Sequence, residues 1–593
     1  MAMKKNTDTK LIVTPLFCGI LLLSGIGSLT VVAVTAGNEV ADVRTRTWIG
    51  PTRVVWSTNV TDAALLLGPR HGQIPEGRFL AGSGCTLERK DGAPSAILLD
   101  FGRELHGGIQ IGNGLPKGRK RVRIRFGESV GEAMAEQGYK GCQNEHAIRD
   151  QELSLPWLGQ LEFGNTGFRF VRIDALSEGP ISIQFVRAVS LMRPMERVGG
   201  FRCSDERVNR VFETAVRTAH LCSQDYLWDG IKRDRLVWQG DMHPEVATLL
   251  AVFGGTPVIR QSLDYMIVTT PTDCWMNGKP SYTMWWILCL RDDWMTTGDL
   301  GFVRRHADYF RKTVRHLCDS VKDDGDWLFP NSEQGFLDWP TEHNRPAVMA
   351  GMRGLYVWSL SAAEELGRAL GDGETSAACD AAVTKLQAKR PSPAGAKSAA
   401  ALLALGGVRE PKKMFAETLG KDGMAGVSTF YGYYMLEAMS AADENLRALD
   451  TVRDYWGAML DMGATSFWED FNVAWTNNAT RLDEMPRSDK KDIHGDFGEF
   501  CYIGYRHSLC HGWSSGPASW LIRHVLGARI LEPGGAVVEV KPFLGDLGWA
   551  EGALATAKGP VKVRVDKDSD GKLKVKVDAP KGVRVKVAQQ TTR

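Results

Sequence analysis

The period of the apolar residues changes twice along this chain of 593 residues, and each period predicts a different kind of structure. From about residue 37 to 195, apolar and polar residues alternate in short runs separated by Gly, Pro and Asn. Alternation with a period of two is typical of β-strands, and regular short strands favour a β-sandwich. The clearest runs are AILLDFG (96–102), GGIQIGNG (107–114), RVRIRFGE (121–128), FRFVRID (168–174) and ISIQFVRAV (181–189).

Near residue 200 the apolar residues begin to recur every three or four positions, which is the period of an amphipathic helix. The Ser204-Asp205 pair is a predicted N-cap, because short polar side chains accept hydrogen bonds from the first free amides of a helix. The apolar positions that follow it are Val208, Val211, Phe212 and Ala215. Similar patterns predict helices at 258–268, 282–296, 301–322, 346–370, 375–389, 396–405, 425–441, 444–459 and 515–528.

After Pro533 the chain returns to Val-x-Val-x-Val alternation with Lys and Arg between, which predicts a half-exposed antiparallel sheet. The run DKDSDGK (566–572) imitates the start of an EF-hand loop, but the twelfth position is Val577 rather than Glu. Because the run separates two alternating segments, we predict a hairpin turn there rather than a calcium site. The predicted domains are an N-terminal β-sandwich at 37–195, an all-α domain at 196–532 and a small C-terminal β-sandwich at 533–593.

The first 36 residues read as a targeting segment rather than as part of the fold. Residues 11–35 carry no charge and follow three lysines, and Ala36 is a small residue suited to cleavage. The apolar run is also long enough to span a bilayer. We therefore expect residues 1–36 to be a signal peptide or a membrane anchor, and the protein to be secreted or periplasmic, or membrane-anchored if this segment is retained.

Composition excludes some classes of partner and favours others. The net charge is +2, so nothing in the overall charge argues for nucleic acid. Eighteen Trp residues favour pockets for sugars or aromatic ligands, although a helical core can also use Trp as filler. The eleven Cys residues include no C-x-x-C pair, and we expect no metal and no cofactor.

The run DGIKRDRLVWQGDMHPE (229–245) is the densest cluster of chemical groups in the sequence. Asp229, Asp234 and Asp241 are interleaved there with two arginines and Trp238. The Gly residues at 230 and 240 argue against one continuous helix, so we expect a loop. Such a loop is either the floor of a catalytic pocket or an ion network that braces the backbone.

Three further runs combine polar groups with rings. In TSFWEDFNVAW (465–475), Glu469 stands among aromatic residues, an environment that suits general acid or base chemistry. The same sequence pattern is also compatible with an exposed Glu at the edge of the fold. In EQGFLDWP (333–340), a carboxylate precedes a Trp. Loops that carry carboxylates beside Trp residues are typical of carbohydrate sites, because rings stack on sugar faces and carboxylates bind hydroxyls.

The last of these runs, HGDFGEFCYIGYRHSLCHGWSSGP (494–517), could also suggest zinc. His507 and His511 are four residues apart and Cys510 lies between them. No Glu follows His507 and no third ligand stands at a telling spacing, so we favour a substrate-contact loop built on His511 and Trp513.

The order of the domains and six of these motifs together resemble the α-L-rhamnosidases of glycoside hydrolase family 78. The resemblance extends from about residue 95 to 580. It implies an (α/α)6 barrel for the middle domain and inverting hydrolysis of terminal α-L-rhamnose. The motifs are LDFGRELHGGIQI (99–111), LEFGNTGFRFVRID (161–174), DGIKRDRLVWQGDMHPE (229–245), FLDWP (336–340), TSFWEDF (465–471) and SLCHGWSSGPASWLIRHVLGARILEPGG (508–535).

By this resemblance Asp234 is the general acid and Glu469 the general base, and the substrate is a rhamnose-containing carbohydrate. Many members have Glu as the acid, within an Arg-Asp-Glu-Arg run that is one residue longer than the run here. An Asp is one methylene shorter, so its backbone must lie closer to the glycosidic oxygen. The residues expected to bind substrate are Asp229, Arg233, Arg235, Trp238, Asp241, Asp338, Trp339, Trp468, His511 and Trp513.

Two other functions remain compatible with the sequence. One is a carbohydrate-binding protein of the same family that keeps the cleft without turnover. The other is a hydrolase or lyase for a different deoxy or uronic sugar. A uronic substrate is disfavoured because Asp outnumbers Arg and Lys in the four runs 229–245, 333–340, 465–475 and 494–517, which leaves few cations for an acidic sugar.

Overall fold

The computed structural model describes residues 40–68, 84–114, 118–157, 159–329, 335–500 and 502–588. Sheet, helices and sheet follow one another in the order that the periodicity predicts. The predicted signal peptide or anchor at residues 1–36 lies outside the described residues. Within the described part of the chain, no helix is long and apolar enough to cross a membrane.

The N-terminal region is a nine-stranded sheet in which every pair is antiparallel. The path runs β3-β4-β9-β5-β8-β6-β7, with β1 paired to β9 and β2 paired to β5. A short helix, α1 (Val130–Met134), lies between β6 and β7. The strands are β1 (Thr45–Ile49), β2 (Arg53–Thr58), β3 (Val60–Thr61), β4 (Cys85–Arg89), β5 (Ala96–Asn113), β6 (Arg121–Gly127), β7 (Asp150–Ser154), β8 (Gln160–Ala175) and β9 (Gly179–Met192).

Strand β5 connects the sheet to the rest of the molecule. Its first half pairs with β2 and its second half pairs with β9, on either side of an irregularity after Asp100. Ile97 and Leu99 point into the apolar core of the sheet, whereas Leu98 points to the opposite face and joins the core of the helical region. The sheet therefore packs directly on the helices that carry the candidate site.

Fourteen further helices occupy the middle of the described chain. Many are joined by loops, and three continue through a single wider π-turn, at 415–419, 452–456 and 521–525. They are α2 (Glu206–Cys222), α3 (Met242–Phe253), α4 (Pro257–Thr269), α5 (Pro280–Thr297), α6 (Leu300–Arg305), α7 (Ala307–Ser320), α8 (Arg345–Leu370), α9 (Gly373–Gln387), α10 (Lys397–Leu405), α11 (Pro411–Met414), α12 (Gly432–Ala441), α13 (Asn445–Thr451), α14 (Gly457–Asp461) and α15 (Pro517–Trp520).

The start of α2 confirms the sequence prediction. The Asp205 carboxylate accepts hydrogen bonds from the amides of Arg207 and Val208, so Asp205 is the N-cap. Two other predicted helices differ from the structure. The segment 301–322 is two helices, because the backbone leaves the helical conformation at His306, and the segment predicted as 425–441 is helical only from Gly432.

The C-terminal region has two small sheets, and each takes one strand from outside 533–593. One has the order β10-β15-β16-β17 and the other β13-β14-β18. The DKDSDGK run is the turn of the β16–β17 hairpin, which confirms that prediction. The strands, with the separate β11–β12 pair, are β10 (Gly200–Cys203), β11 (Ala479–Thr480), β12 (Lys491–Asp492), β13 (Ala528–Ile530), β14 (Val537–Val540), β15 (Trp549–Leu554), β16 (Val561–Lys567), β17 (Leu573–Asp578) and β18 (Arg584–Val587).

Candidate active site

The loop between α2 and α3 is closed by one carboxylate. The Asp229 amide donates to the Leu236 carbonyl at 3.0 Å, and Asp229 Oδ1 accepts from the Leu236 amide at 2.9 Å. Burial, with Asp241 and Asp234 nearby, raises the pKa of Asp229 well above its usual range. Asp229 therefore closes the segment 229–236, which we call the acid loop, and presents Asp234 near its tip.

Arg235 fixes the tip of the acid loop to the N-terminal sheet region. Its guanidinium donates to the Asn165 carbonyl at 2.8 Å and to the His146 carbonyl at 2.6 Å, and it lies 5.6 Å from the centre of the Trp228 ring. Asp234 and Arg235 have φ values of 52° and 57°, in the left-handed region that non-glycine residues rarely adopt. Contacts on both sides of this strained turn keep it in one conformation.

Lys232 anchors the base of the acid loop in a buried polar cluster. Its ammonium group lies 3.0 Å from Glu128 Oε2 and 3.4 Å from Glu132 Oε1, and it donates to the carbonyls of Tyr505 and His507. Burial raises the pKa of Glu128 to about 7, although Lys232 acts in the opposite direction. Glu128, Glu132 and His494 could by geometry hold a metal ion, but the Lys232 ammonium supplies a positive charge beside the two carboxylates.

Asp234 is the most exposed of the three aspartates in this run, and both of its carboxylate oxygens have neighbours. The Trp238 indole N–H donates to Oδ2 at 3.0 Å. Oδ1 lies 3.6 Å from Arg233 Nε and 3.4 Å from His146 Nε2. The Asp234 side chain is 20% exposed, so its carboxyl group is accessible to solvent.

Glu469 is buried and held by donors on both of its oxygens. Oε1 accepts from Arg233 Nη2 at 2.8 Å, and Oε2 accepts from the Ser508 amide at 3.1 Å. The backbone around it is fixed by the Thr429 hydroxyl and the Trp513 indole, which both donate to the Glu469 carbonyl. This carboxylate is therefore set in one orientation.

Arg233 lies between the two carboxylates and limits their separation. Its Nε and Nη2 atoms are bonded to the same carbon and so are about 2.3 Å apart. With contacts of 3.6 Å to Asp234 Oδ1 and 2.8 Å to Glu469 Oε1, these two oxygens are at most about 9 Å apart. The guanidinium also lies 5.4 Å from the centre of the Tyr502 ring.

His511 joins Glu469 to Asp241. Its Nε2 lies 3.2 Å from Asp241 Oδ2, and its Nδ1 lies 3.8 Å from Glu469 Oε1. Burial lowers the pKa of His511 to about 4, so the ring is neutral at physiological pH. Burial and the charge of Asp234 raise the pKa of Asp241 well above its usual range, and the Tyr282 hydroxyl donates to its other oxygen at 3.3 Å.

Two tryptophans lie behind Glu469. Trp513 stacks on Phe430 with ring centres 4.9 Å apart and donates to the Glu469 carbonyl at 3.0 Å. Trp468 is only 1% exposed and meets Phe471 and His507 edge to face. Trp468 is therefore part of the wall that supports Glu469.

Asp338 and Trp339 lie on the neighbouring loop. Asp338 Oδ2 accepts from the Ser428 hydroxyl at 3.2 Å, and burial raises the pKa of Asp338 to about 6. Trp339 is half-buried and packs against Phe336, Phe500 and Tyr502. Ser428 precedes Thr429, which bonds the Glu469 carbonyl, so this loop is tied to the same wall of the site.

His507 and His511, the two histidines of the 494–517 run that could suggest zinc, contact different groups. His507 Nε2 accepts from the Asp470 amide at 2.8 Å, and the His507 carbonyl accepts from Lys232. His511 faces Asp241 and Glu469 instead. Each imidazole thus has a separate partner.

The family model described as the bacterial α-L-rhamnosidase six-hairpin glycosidase domain matches residues 196–389. The chain resembles the α-L-rhamnosidases of glycoside hydrolase family 78. No curated protein matches it by sequence.

Several solved rhamnosidase structures share the fold. A family 78 enzyme from Bacillus sp. GL1 has a TM-score of 0.68 at 23% identity, over 85% of this chain and 54% of its own. A Klebsiella oxytoca rhamnosidase with rhamnose bound has a TM-score of 0.65 at 19% identity, and the match covers 81% of this chain and 96% of the Klebsiella chain. An α-L-rhamnosidase from Aspergillus terreus has a TM-score of 0.67 at 18% identity, and the match covers 84% of this chain and 60% of the Aspergillus chain. The chain thus spans about half the length of the Bacillus enzyme.

The structure adds residues to this candidate site that the sequence did not single out. Ser508 binds Glu469, Tyr502 lies beside Arg233, Lys232 anchors the acid loop to Glu128, and His146 contacts Asp234 on that loop. Lys232 lies inside the 229–245 motif, and its position between apolar Ile231 and Arg233 is the sequence feature that could have indicated a buried lysine. His146 comes from the N-terminal region and carries no motif.

Proposed function

We propose that the protein is a glycoside hydrolase that removes terminal α-L-rhamnose with inversion, Asp234 acting as general acid and Glu469 as general base. The observation that carries this proposal is the arrangement of two carboxyl groups on either side of Arg233. The upper limit of about 9 Å between them is compatible with the roughly 6.5–9.5 Å that leaves room for the attacking water. The family-model match to residues 196–389 supports the substrate class.

The two carboxyl groups differ in a way that suits their proposed roles. Glu469 is buried and paired with Arg233, so it is suited to take a proton from a water molecule as that water attacks the anomeric carbon. Asp234 is more exposed, and the Trp238 N–H engages its Oδ2. Oδ1 is then the atom that gives a proton to the leaving oxygen, and one water is consumed for each bond broken.

The remaining residues are proposed to bind the sugar or to support the residues that do. Asp241, Asp338 and His511 supply polar groups for hydroxyls. Trp238, Trp339 and Trp513 supply rings, and a ring-lined pocket selects a sugar whose last carbon is a methyl. Asp229, Arg233 and Trp468 are proposed to support the site through contacts with the acid loop, Glu469 and Phe471, and Arg235 by fixing the acid loop to the N-terminal region.

The finer architecture belongs to the same proposal. We infer an (α/α)6 barrel for 196–532, between β-sandwiches at 37–195 and 533–593. Helices α5 and α8 are buried over most of their surfaces, as the inner helices of such a barrel would be. We also propose that residues 1–36 direct export.

The test uses a panel of chromogenic α-L-glycosides, with the product anomer followed by NMR. We expect β-L-rhamnose to appear first. Asp234→Asn and Glu469→Gln should lower kcat by roughly 10²–10⁴-fold because each removes one proton-transfer group. Asp319→Asn, an exposed aspartate on α7, is the control and should keep wild-type rates.

Each other outcome favours a different function. Wild-type rates in both site variants would refute the assignment of acid and base. A rhamnose-containing oligosaccharide that binds without being cleaved would identify a binding protein. Cleavage of another deoxy or uronic sugar in preference to rhamnose would overturn the substrate class.

A further inference from the structure

We propose that Cys318 and Cys379 form a redox site, at which the two thiols join in a disulfide when the protein is in an oxidising compartment. Cys318 lies on α7 (Ala307–Ser320) and Cys379 lies on α9 (Gly373–Gln387). The inference goes beyond the proposed function, because no step of it involves the hydrolysis of a glycoside.

Helices α7 and α9 pack side by side, and their side-chain contacts fix the register between them. Near the start of both helices, Arg311 Nε donates to Asp372 Oδ2 at 2.6 Å. Beyond the two cysteines, Lys385 Nζ donates to Asp323 Oδ1 at 2.8 Å. These partners are 61 and 62 residues apart in the chain, so the two helices run parallel with an almost constant register.

The same register makes the two cysteines face each other. Cys318 follows Arg311 by seven residues, and Cys379 follows Asp372 by seven residues. Seven residues are about two turns of an α-helix, so each cysteine lies on the face of its helix that carries the ion pair. Cys318 and Cys379 are therefore opposite each other in the interface between α7 and α9.

The two side chains are also in contact. The Cys379 thiol has a hydrogen bond with the Cys318 side chain, and this bond together with burial raises the pKa of Cys379 well above its usual range. Both residues pack in the apolar core of the helical region. Cysteine side chains that already touch need little backbone movement to reach the separation of a disulfide.

The two thiols differ in how far solvent reaches them. Cys379 is fully buried, whereas Cys318 is half-buried. An oxidant therefore reaches Cys318 first, because reactive cysteines are those that solvent can reach. Cys379 then reacts from inside the interface without leaving its position.

A second pair of cysteines provides an internal comparison. Cys222 and Cys510 also share a hydrogen bond, but both are fully buried in a small apolar cluster with Leu221 and Ile231. An oxidant cannot reach either of these thiols while the protein stays folded. We therefore expect Cys222 and Cys510 to remain reduced under conditions that oxidise Cys318 and Cys379.

The oxidation needs a disulfide as its second reactant, such as oxidised glutathione. The Cys318 thiolate attacks one of the two glutathione sulfurs, which forms a mixed disulfide and releases one glutathione thiolate. The Cys379 thiol then loses its proton, and its sulfur attacks the Cys318 sulfur, which forms the new S–S bond and releases the second glutathione. In total the two cysteines lose two electrons and two protons, and one glutathione disulfide becomes two thiols.

The disulfide would close the segment from α7 to α9. This segment contains the FLDWP run at 336–340 and α8, which is buried over most of its surface. A disulfide stabilises mainly by restricting the unfolded chain, and the effect grows with the length of the closed segment. We expect the oxidised protein to melt about 2–4 °C above the reduced protein.

The experiment holds the folded full chain in a glutathione buffer and then maps its cysteines. After an acid quench the protein is denatured, its free thiols are blocked with N-ethylmaleimide, and its peptides are analysed by mass spectrometry without reduction. We expect one cross-linked peptide that joins Cys318 to Cys379, whereas Cys222 and Cys510 should both be blocked.

Two variants test whether the melting temperature depends on this cross-link. In Cys318→Ser, Cys379 should be blocked, and the melting temperature should be the same in oxidising and reducing buffer. Cys274→Ser is the matched control, because Cys274 is an exposed cysteine outside both pairs. It should keep the cross-link and the rise of about 2–4 °C.

Blocked Cys318 and Cys379 in the oxidised wild type would overturn the inference. A glutathione adduct on Cys318 beside a blocked Cys379 would also overturn it, because the second sulfur would then be unable to reach the first. If Cys318→Ser does not fold, the wild type decides, since its cross-link and melting temperature are compared between the two buffers. Rhamnoside hydrolysis enters none of these measurements, so a failure of the proposed function leaves their outcome unchanged.

Discussion

Replacing Lys232 by Met should destabilise the protein by an amount that depends on pH. Lys232 is buried, and its ammonium faces Glu128 and Glu132 at 3.0 and 3.4 Å. Removing one member of a buried ion pair typically costs about 3–5 kcal/mol, because the remaining charge is left without a partner. We expect a loss of this size at pH 8.

The direction in which this loss of stability changes with pH follows from the pKa of Glu128. Burial raises the pKa of Glu128 to about 7 in the folded protein, so its stabilising contribution is present at acid pH and is lost as the pH rises through that value. Lys232 opposes this shift, so Lys232→Met moves the pKa further upward and deepens the loss at pH 8. At pH 5 Glu128 is protonated with or without Lys232, and the loss should shrink to about 2 kcal/mol, the value of the hydrogen bonds to the Tyr505 and His507 carbonyls.

The assay is urea unfolding followed by tryptophan fluorescence at pH 5 and pH 8. Lys397→Met is the matched control, since Lys397 is also buried but donates to the Gly423 carbonyl at 2.6 Å. Burial lowers the pKa of Lys397. We therefore expect Lys397→Met to lower the free energy of unfolding less than Lys232→Met does, and by about the same amount at pH 5 and at pH 8. A loss for Lys232→Met that is equal at pH 5 and pH 8, or smaller than the loss in the control, would refute this account of the cluster.

Two further predictions concern groups behind the site. Burial near Asp241 and Asp229 raises the pKa of Glu245 well above its usual range, so its stabilising contribution declines as the pH rises. Glu245→Gln, which does not titrate, should therefore gain on wild type in urea unfolding by up to about 1.4 kcal/mol per pH unit between pH 6 and pH 8, and a constant difference would contradict this. Trp513→Phe keeps a ring that can stack on Phe430 but loses the N–H that donates to the Glu469 carbonyl at 3.0 Å. Its kcat on an aryl rhamnoside should fall roughly fivefold and its melting temperature by no more than a few degrees, since one hydrogen bond contributes about 1 kcal/mol, and a change in KM alone would argue against it.

The parts of the fold that sequence predicts are those set by local patterns. The alternation at 561–578 and the Asp-Gly between its halves yield a hairpin, and the spacing after Asp205 yields α2. Strand β10 (Gly200–Cys203) was not predicted, because its pairing partner β15 lies more than three hundred residues later in the chain. A four-residue strand has too few positions to show a period of its own.

In the candidate site too, sequence motifs indicate some residues, whereas the contacts of others are known only from the structure. Asp229, Asp234 and Glu469 stand in motifs that the family resemblance singles out, and the structure brings Asp234 and Glu469 to the two sides of Arg233. The roles of Arg233 and Arg235 could not be separated from sequence, since both are arginines beside the same aspartate. The structure distinguishes them: Arg233 turns toward Glu469, and Arg235 turns away to carbonyls of the N-terminal region.

Gly512 shows how closely the site is packed around its buried acids. A Cβ at this position would lie 1.4 Å from Glu245 Oε1, so any larger residue would have to displace the buried Glu245 side chain. The Gly512 amide donates to the Asp229 carbonyl at 2.8 Å, which ties the acid loop to that segment. His511 and the acid loop therefore cannot shift independently of each other.

The shorter acid side chain and the N-terminal contacts are best understood together. Asp234, the proposed acid, is one methylene shorter than the Glu that the resemblance implies for many family members, so the proposal requires the backbone to carry the carboxyl forward. The left-handed turn at Asp234 and Arg235 changes the path of the backbone at that point, and the contacts of Lys232 and Arg235 with the N-terminal region hold that turn. Loss of these contacts would release the turn before it disturbed the helices. The N-terminal region therefore takes part in holding the candidate site, although Glu128 and His146, which contact the acid loop, lie outside the six motifs.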